Sequence, residues 1–236
     1  MDFDFQVIID ALPDLWKGAQ LTIKITLLGL IGGVILGGLV GVILAYVPSW
    51  ADKEFRQRHP IESLWLPILS WIAQAYVLLI RGTPMVVQVM FIYFAFPLIF
   101  QIRVDGTTAA IATLIINSGA YIAEIVRGSL LSVSKGLYEA GQAMGLPFHK
   151  IVSKIIGPIA FRRMIPALGN QCIISLKDTS IFIVIGVAEL TRQGQEIMAT
   201  NYRAIEIWGA VAFFYLVMTG IFAIALKIIE KRMRIL

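Results

Sequence analysis

The sequence predicts an all-α membrane protein that crosses the bilayer five times. Three observations lead there. Long stretches with few or no charges recur along the chain, the basic residues gather in three segments, and one polar, helix-prone segment, 127–163, interrupts the apolar run. Composition agrees. Of the 236 residues 58% are hydrophobic and 15% charged, whereas a soluble domain is about 45–50% apolar and about 25% charged.

The apolar stretches are 25–47, 63–80, 82–102, 106–123, 164–188 (broken by Lys177-Asp178) and 207–226. Each is close to the ~20 residues that cross the hydrocarbon. The N-terminal segment carries Asp2, Asp4, Asp10 and Asp14 and no basic leader, so the first apolar helix, about 21–47, is expected to be retained rather than cleaved. It holds Gly29, Gly33, Gly37 and Gly41 at four-residue intervals. Small residues at that spacing let backbones pack closely in lipid. Packing within the chain and a seam between two copies both satisfy the pattern.

Short loops rich in Lys and Arg stay cytoplasmic. Segment 48–60 holds Lys53, Arg56 and Arg58. Segment 127–163 holds Arg127, Lys135, Lys150, Lys154, Arg162 and Arg163, and the tail holds Lys227, Lys231, Arg232 and Arg234. All three are expected inside. The chain must then cross an even number of times between the first two, yet three apolar stretches lie there. Two must share one crossing, and the break falls at "RGTP", Arg81 to Pro84. Residues 61–80 are expected as an amphipathic or shallow helix near the cytoplasmic face, leading into a span at about 84–100. Pro84 suits a first helical turn, where its missing N–H costs nothing. The remaining spans are about 107–126, 164–187 and 205–227. The N-terminus is expected on the periplasmic or extracellular side and the C-terminus in the cytoplasm, with outer loops at 101–106 and 188–204. A six-span alternative, with 61–80 crossing fully, places either the acidic N-terminus inside or a basic loop outside.

Within 127–163, Leu137, Ala140 and Met144 share one helical face. Gly145 is a helix stop, and Pro147 opens a second helix in which Ile151 and Ile155 are four apart. This helix–turn–helix presents a small apolar ridge that suits a groove on another protein, or else lies on its own membrane domain. Glu139-Ala140-Gly141, Gly145, Ile155 and Pro158 resemble the EAA loop of ABC importer permeases: Glu-Ala-Ala, three residues, Gly, nine residues, Ile-x-Leu-Pro. Gly141 replaces the third motif residue and Gly157 the Leu before Pro158. The stretches "RGTPMVVQVMFIYF", "INSGAYIAEIVRGSLLSVSKG" and "GNQCIISLKDTSIFIVIGVAELTRQGQEI" and the basic tail resemble the polar amino-acid branch of that family. The likeness runs from about residue 15 onward.

The resemblance implies a type I importer permease fold in the bacterial inner membrane, a second permease copy (a homodimer), and a separate ATPase on each EAA loop. It also implies an extracytoplasmic amino-acid-binding protein. Glutamine is the first choice of substrate by similarity, with histidine, arginine and glutamate open. Glu139, Ala140, Gly141, Gly145, Ile155 and Pro158 would couple the permease to the ATPase. The chain has no G-x-x-x-x-G-K-[ST] phosphate loop, so ATP and Mg belong to the partner and no cofactor is expected here. Lipid surrounds the spans, and no nucleic acid is expected.

Charges at mid-bilayer cost about 2.5–3.5 kcal/mol and are usually functional. Lys177, Asp178 and Thr179 interrupt the fourth span, Asn117 and Ser118 lie in the third, and Gln88 lies in the second. An amino acid needs a carboxylate or carbonyl for its ammonium and a donor for its carboxylate. Asp178 suits the first. Lys177, Thr179 or Asn117 suits the second, and Asn117 or Gln88 can meet a side-chain amide. A buried structural network explains the same residues. Arg81 and Glu124 are expected as a structural pair near the cytoplasmic face. The outer segment with Glu189, Arg192, Glu196 and Arg203 caps the pore or lies as a solvated interfacial helix.

Other classes fare worse. A secondary transporter would show repeated halves with broken helices, and none is visible. No G-x-S-x-G or H-E-x-x-H is present, and neither His59 nor His149 lies in a span. The single cysteine, Cys172, excludes an intrachain disulfide and a cysteine metal cluster.

Overall fold

The computed structural model describes residues 3–47 and 65–233. The basic segment 48–60 and Arg234 lie outside them. Among the described residues the regular structure is helical throughout.

Helix α1, Phe5–Tyr46, runs unbroken for 42 residues, about 63 Å at 1.5 Å per residue. It therefore starts well before the expected span at 21. The Asp4 carboxylate begins it by accepting from the Gln6 N–H at 2.9 Å, which satisfies one of the orphan donors of the first turn. Helix α2, Leu66–Arg81, and helix α3, Met85–Phe100, meet at 106° across the Arg81–Pro84 break. Pro84 stands just before α3 with φ −64° and ψ 139°, not inside its first turn as expected. Helix α4 is Gly106–Leu131, started by Asp105, whose carboxylate accepts from the N–H groups of Thr107 and Thr108. Helix α5 is Lys135–Ala143. Helix α6, Phe148–Ile185, is one 38-residue run, so the second helix of the polar segment and the fourth span are continuous. It ends in a 3₁₀ stretch, Thr179–Ile185. Helices α7, Leu190–Asn201, and α8, Ala204–Met233, follow.

Four helices (α1, α4, α6 and α8) are long and apolar enough to cross a membrane, and the bent pair α2–α3 makes a fifth when taken as one broken span. The glycine stripe explains why α1 and α4 share so much contact. A Cβ at Gly29 would press into Leu114, one at Gly33 into Ser118, one at Gly37 would stand 2.5 Å from the Gly119 carbonyl, and one at Gly41 2.6 Å from Val126. The stripe is thus filled within the chain. Both sequences ascend together, so the two helices run parallel and their C-terminal ends share one pole. The chain between them, which includes α2 and α3, therefore returns from that pole to the start of α4.

Two of the prolines inside helices, Pro97 and Pro158, share one local remedy. Proline lacks an N–H and its ring crowds the carbonyl four residues back. In each case a π-turn precedes it: Phe91–Ala95 before Pro97, and Val152–Ile156 before Pro158. The widened turn makes the i→i−5 bond from Gly157 N to Val152 O. A Cβ on residue 157 would stand 2.8 Å from that oxygen, so glycine suits the place where the EAA pattern has Leu.

Candidate functional site

The basic pole carries the corner between α5 and α6. Helix α5 ends in a Schellman arrangement. Gly145 takes the left-handed conformation at φ +73°, Leu146 N donates to Gly141 O at 3.1 Å, and Gly145 N donates to Gln142 O at 2.9 Å. Gly141 faces α6, where a Cβ would lie 2.9 Å from Ile151 Cγ1. That contact accounts for glycine in place of the motif's alanine. Pro147 then caps α6 with extended backbone. The corner is fastened to α4 by Arg163, whose Nη1 donates to Ser132 O at 2.6 Å, and to α1 through the edge-on Tyr46–Phe148 ring pair. The opposite face of α5 stays uncovered: Glu139 and Ala140 are exposed, as are Leu137 and Met144 at 40% and 67%. The apolar ridge therefore does not lie on the chain's own membrane bundle. Ile155 and Pro158 line a shallow groove of about 300 Å³ between Lys154 and Arg162.

At the elbow between α2 and α3, the Gln88 amide nitrogen shares its hydrogens among Ile80 O at 2.7 Å, Thr83 O at 3.0 Å and Thr83 Oγ1 at 3.0 Å. Its carbonyl oxygen accepts from Asn117 Nδ2 at 2.9 Å. The fold thus brings Gln88 and Asn117 together, and Gln88 serves the bend. Ser118 turns away toward Gly33 and donates to Leu114 O at 2.6 Å. Arg81 and Glu124 do pair, at 3.8 Å, with Arg127 on the same carboxylate at 3.3 Å and the Arg81 guanidinium over the Tyr121 ring.

Lys177 and Asp178 close the α-helical part of α6, and Thr179 opens its 3₁₀ stretch. Lys177 is exposed, Asp178 half-buried and Thr179 buried, its hydroxyl donating to Leu176 O at 2.7 Å. Among the described residues no hydrogen bond or ion pair joins this trio to Gln88–Asn117. They are separate clusters, one on α6 and one between α3 and α4. No group of three or more His, Cys, Asp or Glu among the described residues is placed to hold a metal.

Sequence reasoning missed a third cluster. Glu189, expected on a charged interfacial segment, is fully buried. It caps α7 by accepting from Thr191 N at 2.9 Å and Arg192 N at 2.8 Å, and it accepts from the Tyr215 hydroxyl at 3.0 Å. Burial pushes its carboxyl above the usual range, and these hydrogen bonds oppose the shift. The available signals were an acidic residue just ahead of a helix start and a tyrosine in an apolar span, whose hydroxyl needs a partner. By contrast Arg192 and Glu196 pair on the exposed face at 2.7 Å.

Residues 63–235 match the family described as binding-protein-dependent transport system inner membrane component. The chain belongs to this family. Over its full length it is 51% identical to the glutamine transport system permease protein GlnP of Escherichia coli K12, covering all of both chains. The arginine transport system permease protein ArtQ of Bacillus subtilis is 30% identical, with 99% of each chain covered. Among solved structures, an amino acid ABC transporter crystallised with histidines superposes with a TM-score of 0.83 at 32% identity, over 98% of this chain and 100% of that one. A chain of the MetNI methionine ABC transporter gives 0.77 at 22% identity, over 94% and 97%, and shares the fold. The permease is thus a multi-pass membrane transport component rather than an enzyme, of a family whose systems work with an ATPase and a binding protein.

Proposed function

We propose that this permease is the pore-forming subunit of an ATP-driven importer of polar amino acids, with glutamine as its substrate. It resides in the bacterial inner membrane with its N-terminus outside and its basic pole in the cytoplasm. Two copies enclose the pore. An ATPase carrying ATP and Mg receives the exposed Leu137–Ala140–Met144 ridge, with Glu139, Gly141 and Gly145 setting the shape of that short helix and Ile155 and Pro158 its seat on α6. A soluble receptor delivers substrate at the opposite pole. Nucleotide-driven closure of the ATPase moves the α5–α6 corner, and the spans behind it exchange between two states of different substrate affinity.

The observation that carries this reading is the uncovered apolar ridge on a helix held firmly at the basic pole by Gly141, Gly145 and Arg163. Within the membrane, Asp178 takes the substrate ammonium, and Lys177 and Thr179 take its carboxylate. Asn117, held by Gln88 and followed by Ser118, offers its amide to the substrate side chain. The full-length identity to a glutamine permease supports glutamine, and the arginine relative and the histidine-bound structure supply the competing arms of the test. The experiment is reconstitution of the permease with its ATPase and receptor in liposomes, measuring ATP hydrolysis and uptake with glutamine, histidine, arginine and glutamate in turn. Stimulation and uptake with glutamine alone are expected. No uptake of any amino acid overturns the importer, and preference for another one corrects the substrate.

A further inference from the structure

A groove between α1, α2 and α4 at the basic pole is not used by the transport reading. Helix α2 turns Pro67, Ser70, Ala73 and Val77 inward. It is fastened there by the Tyr76 hydroxyl, which donates to Ile116 O at 2.6 Å. Its neighbouring face carries Trp71, Gln74, Ala75 and Leu78 at i, i+3, i+4 and i+7, which is one stripe of a helix. Trp71 and Leu78 stay uncovered, at 61% and 74% exposure. The stripe lines a cavity of about 1060 Å³, whose other walls include Leu44 of α1 and Glu124 and Arg127 of α4. Arg81, also in the lining, ends the stripe at the last residue of α2.

The polar end of this cavity has cationic capacity to spare. Glu124 Oε2 lies 3.8 Å from Arg81 Nη1 and 3.3 Å from Arg127 Nη2. Two guanidiniums thus share one carboxylate, and one positive charge is left unbalanced. A guanidinium has five N–H donors. Among the described residues Arg127 uses one of them, on Glu124, and Arg81 makes no hydrogen bond. Arg81 is instead held by the Tyr121 ring beneath it, 5.3 Å from the ring centroid, which steadies the cation and leaves its N–H edge available. Arg127 and Glu124 stand four and seven residues before the end of α4 at Leu131, about 6–10 Å along the axis. Long arginine side chains at that depth extend to the headgroup layer.

The walls therefore ask for a molecule with a long apolar part and a single anionic group. The volume is too large for a lone amino acid, since even drug-sized ligands fill about 300–1,000 Å³. An apolar helix of a second copy would bury the surplus cation unpaired, which is costly. Basic pockets between membrane helices suit acidic lipid headgroups, and Trp71 is of the residue type that sits at headgroup level. We propose that this groove seats an acidic phospholipid of the leaflet at the basic pole. Its phosphate lies on Arg81 and Arg127, and an acyl chain runs along Trp71, Ala75 and Leu78.

The test adds phosphatidylglycerol or phosphatidylcholine with the same acyl chains to detergent-purified permease and counts bound lipid by native mass spectrometry. Phosphatidylglycerol should bind at least fivefold more tightly, because one basic side chain near an acidic headgroup contributes about that factor. Arg127→Gln balances the remaining Arg81 against Glu124. It should abolish most of the preference and leave phosphatidylcholine binding within about twofold. Ala75→Trp fills the groove and keeps both guanidiniums, and it should weaken both lipids at least fivefold. Should Arg127→Gln fail to fold, the wild-type preference and Ala75→Trp decide. Equal binding of the two lipids by wild type overturns the site. A preference that survives Arg127→Gln, or binding that survives Ala75→Trp, overturns it as well and assigns the lipid to another surface. Inorganic phosphate binding as tightly as phosphatidylglycerol overturns the lipid in favour of a free anion. A change of oligomeric state in Ala75→Trp with lipid binding intact makes a second copy the occupant, and the proposal fails.

Discussion

Gly145 offers a substitution whose cost inside the chain can be separated from its cost at a partner. Its φ of +73° lies in the left-handed region, and a Cβ there would meet nothing within 4 Å. The internal penalty is therefore conformational rather than steric. For an ordinary L-residue it is about 1–2 kcal/mol, and Asn and Asp visit this region most readily. Gly145→Asn and Gly145→Asp have nearly the same shape and differ by one charge. A carboxylate at a helix C-terminus adds about 0.3–1 kcal/mol of unfavourable dipole interaction. Within the chain the two variants should thus differ by no more than about fivefold in any population they control, since 1.4 kcal/mol is tenfold. An ATPase groove closing over the ridge changes the sum, because an unpaired charge taken out of water costs several kcal/mol. Titrating ATPase onto detergent-solubilised permease at fixed salt reads the difference. The Asn variant should bind within about fivefold of wild type, and the Asp variant at least tenfold more weakly than the Asn variant. Equal binding of Asp and Asn variants would show that nothing covers the turn, and the α5 corner would not be the docking element.

Other consequences are as direct. Gly37→Leu should lower the yield of folded permease sharply, because the added side chain meets the Gly119 carbonyl and Ile122 at under 3 Å, whereas Gly38→Ala, with nothing within 4 Å, should be neutral; thermal stability of the purified protein compares the two. Cysteines placed at 53–58, 135–154 and 231–236 should label only from the cytoplasmic side, and labelling near Lys150 from outside alone would sink the five-span orientation. Asp178→Asn removes a charge and keeps the size. If Asp178 holds the substrate ammonium, the lost charge-assisted bond (about 1.5–3 kcal/mol, against about 1 for a neutral one) should cut uptake per complex about tenfold or more, while unchanged uptake per complex removes Asp178 from the site whatever the yield.

The parts of this fold that were legible in the sequence are those marked by local chemistry. Gly145 and Pro147 bracket a turn because only particular residues suit those backbone angles, and the α5–α6 corner has the form that they and the apolar spacing predict. The elbow at Arg81–Pro84 followed from charge parity, and Arg81 and Glu124 pair as expected. The partner of the glycine stripe was not legible, because a small-residue ridge fits any close helix. Its complement on α4 is a row of ordinary residues, Leu114, Ser118, Ile122 and Val126. The first sixteen residues of α1 escaped notice for another reason. Hydropathy detects the part of a helix that suits hydrocarbon, and Asp10, Pro13, Asp14 and Lys17 hide the remainder. Glu189 carries the same letter whether it is solvated or buried, and only the approach of Tyr215 from α8 decides.

The arrangement of the rigid and the joined parts has a mechanical consequence. Helices α1 and α4 interlock backbone to backbone along the glycine stripe, and a change there must break many close contacts at once, so this pair is suited to be a frame. Helix α6 is built differently. Its course departs from α geometry twice, in the π-turn at Val152–Ile156 near the basic pole and in the 3₁₀ stretch at Thr179–Ile185 near the other. Such departures are where helices bend or hinge. The segment between them, Gly157–Asp178, is a 22-residue helix of about 33 Å with Pro166 inside it. One end of that helix carries the α5 corner proposed for the ATPase, and the other carries Lys177–Thr179 and, beyond the 3₁₀ stretch, α7. A helix that can hinge at both ends can shift between poles without requiring the frame to deform. The Lys177–Thr179 segment proposed to receive the substrate thus sits at the end of this helix opposite the corner proposed for the ATPase.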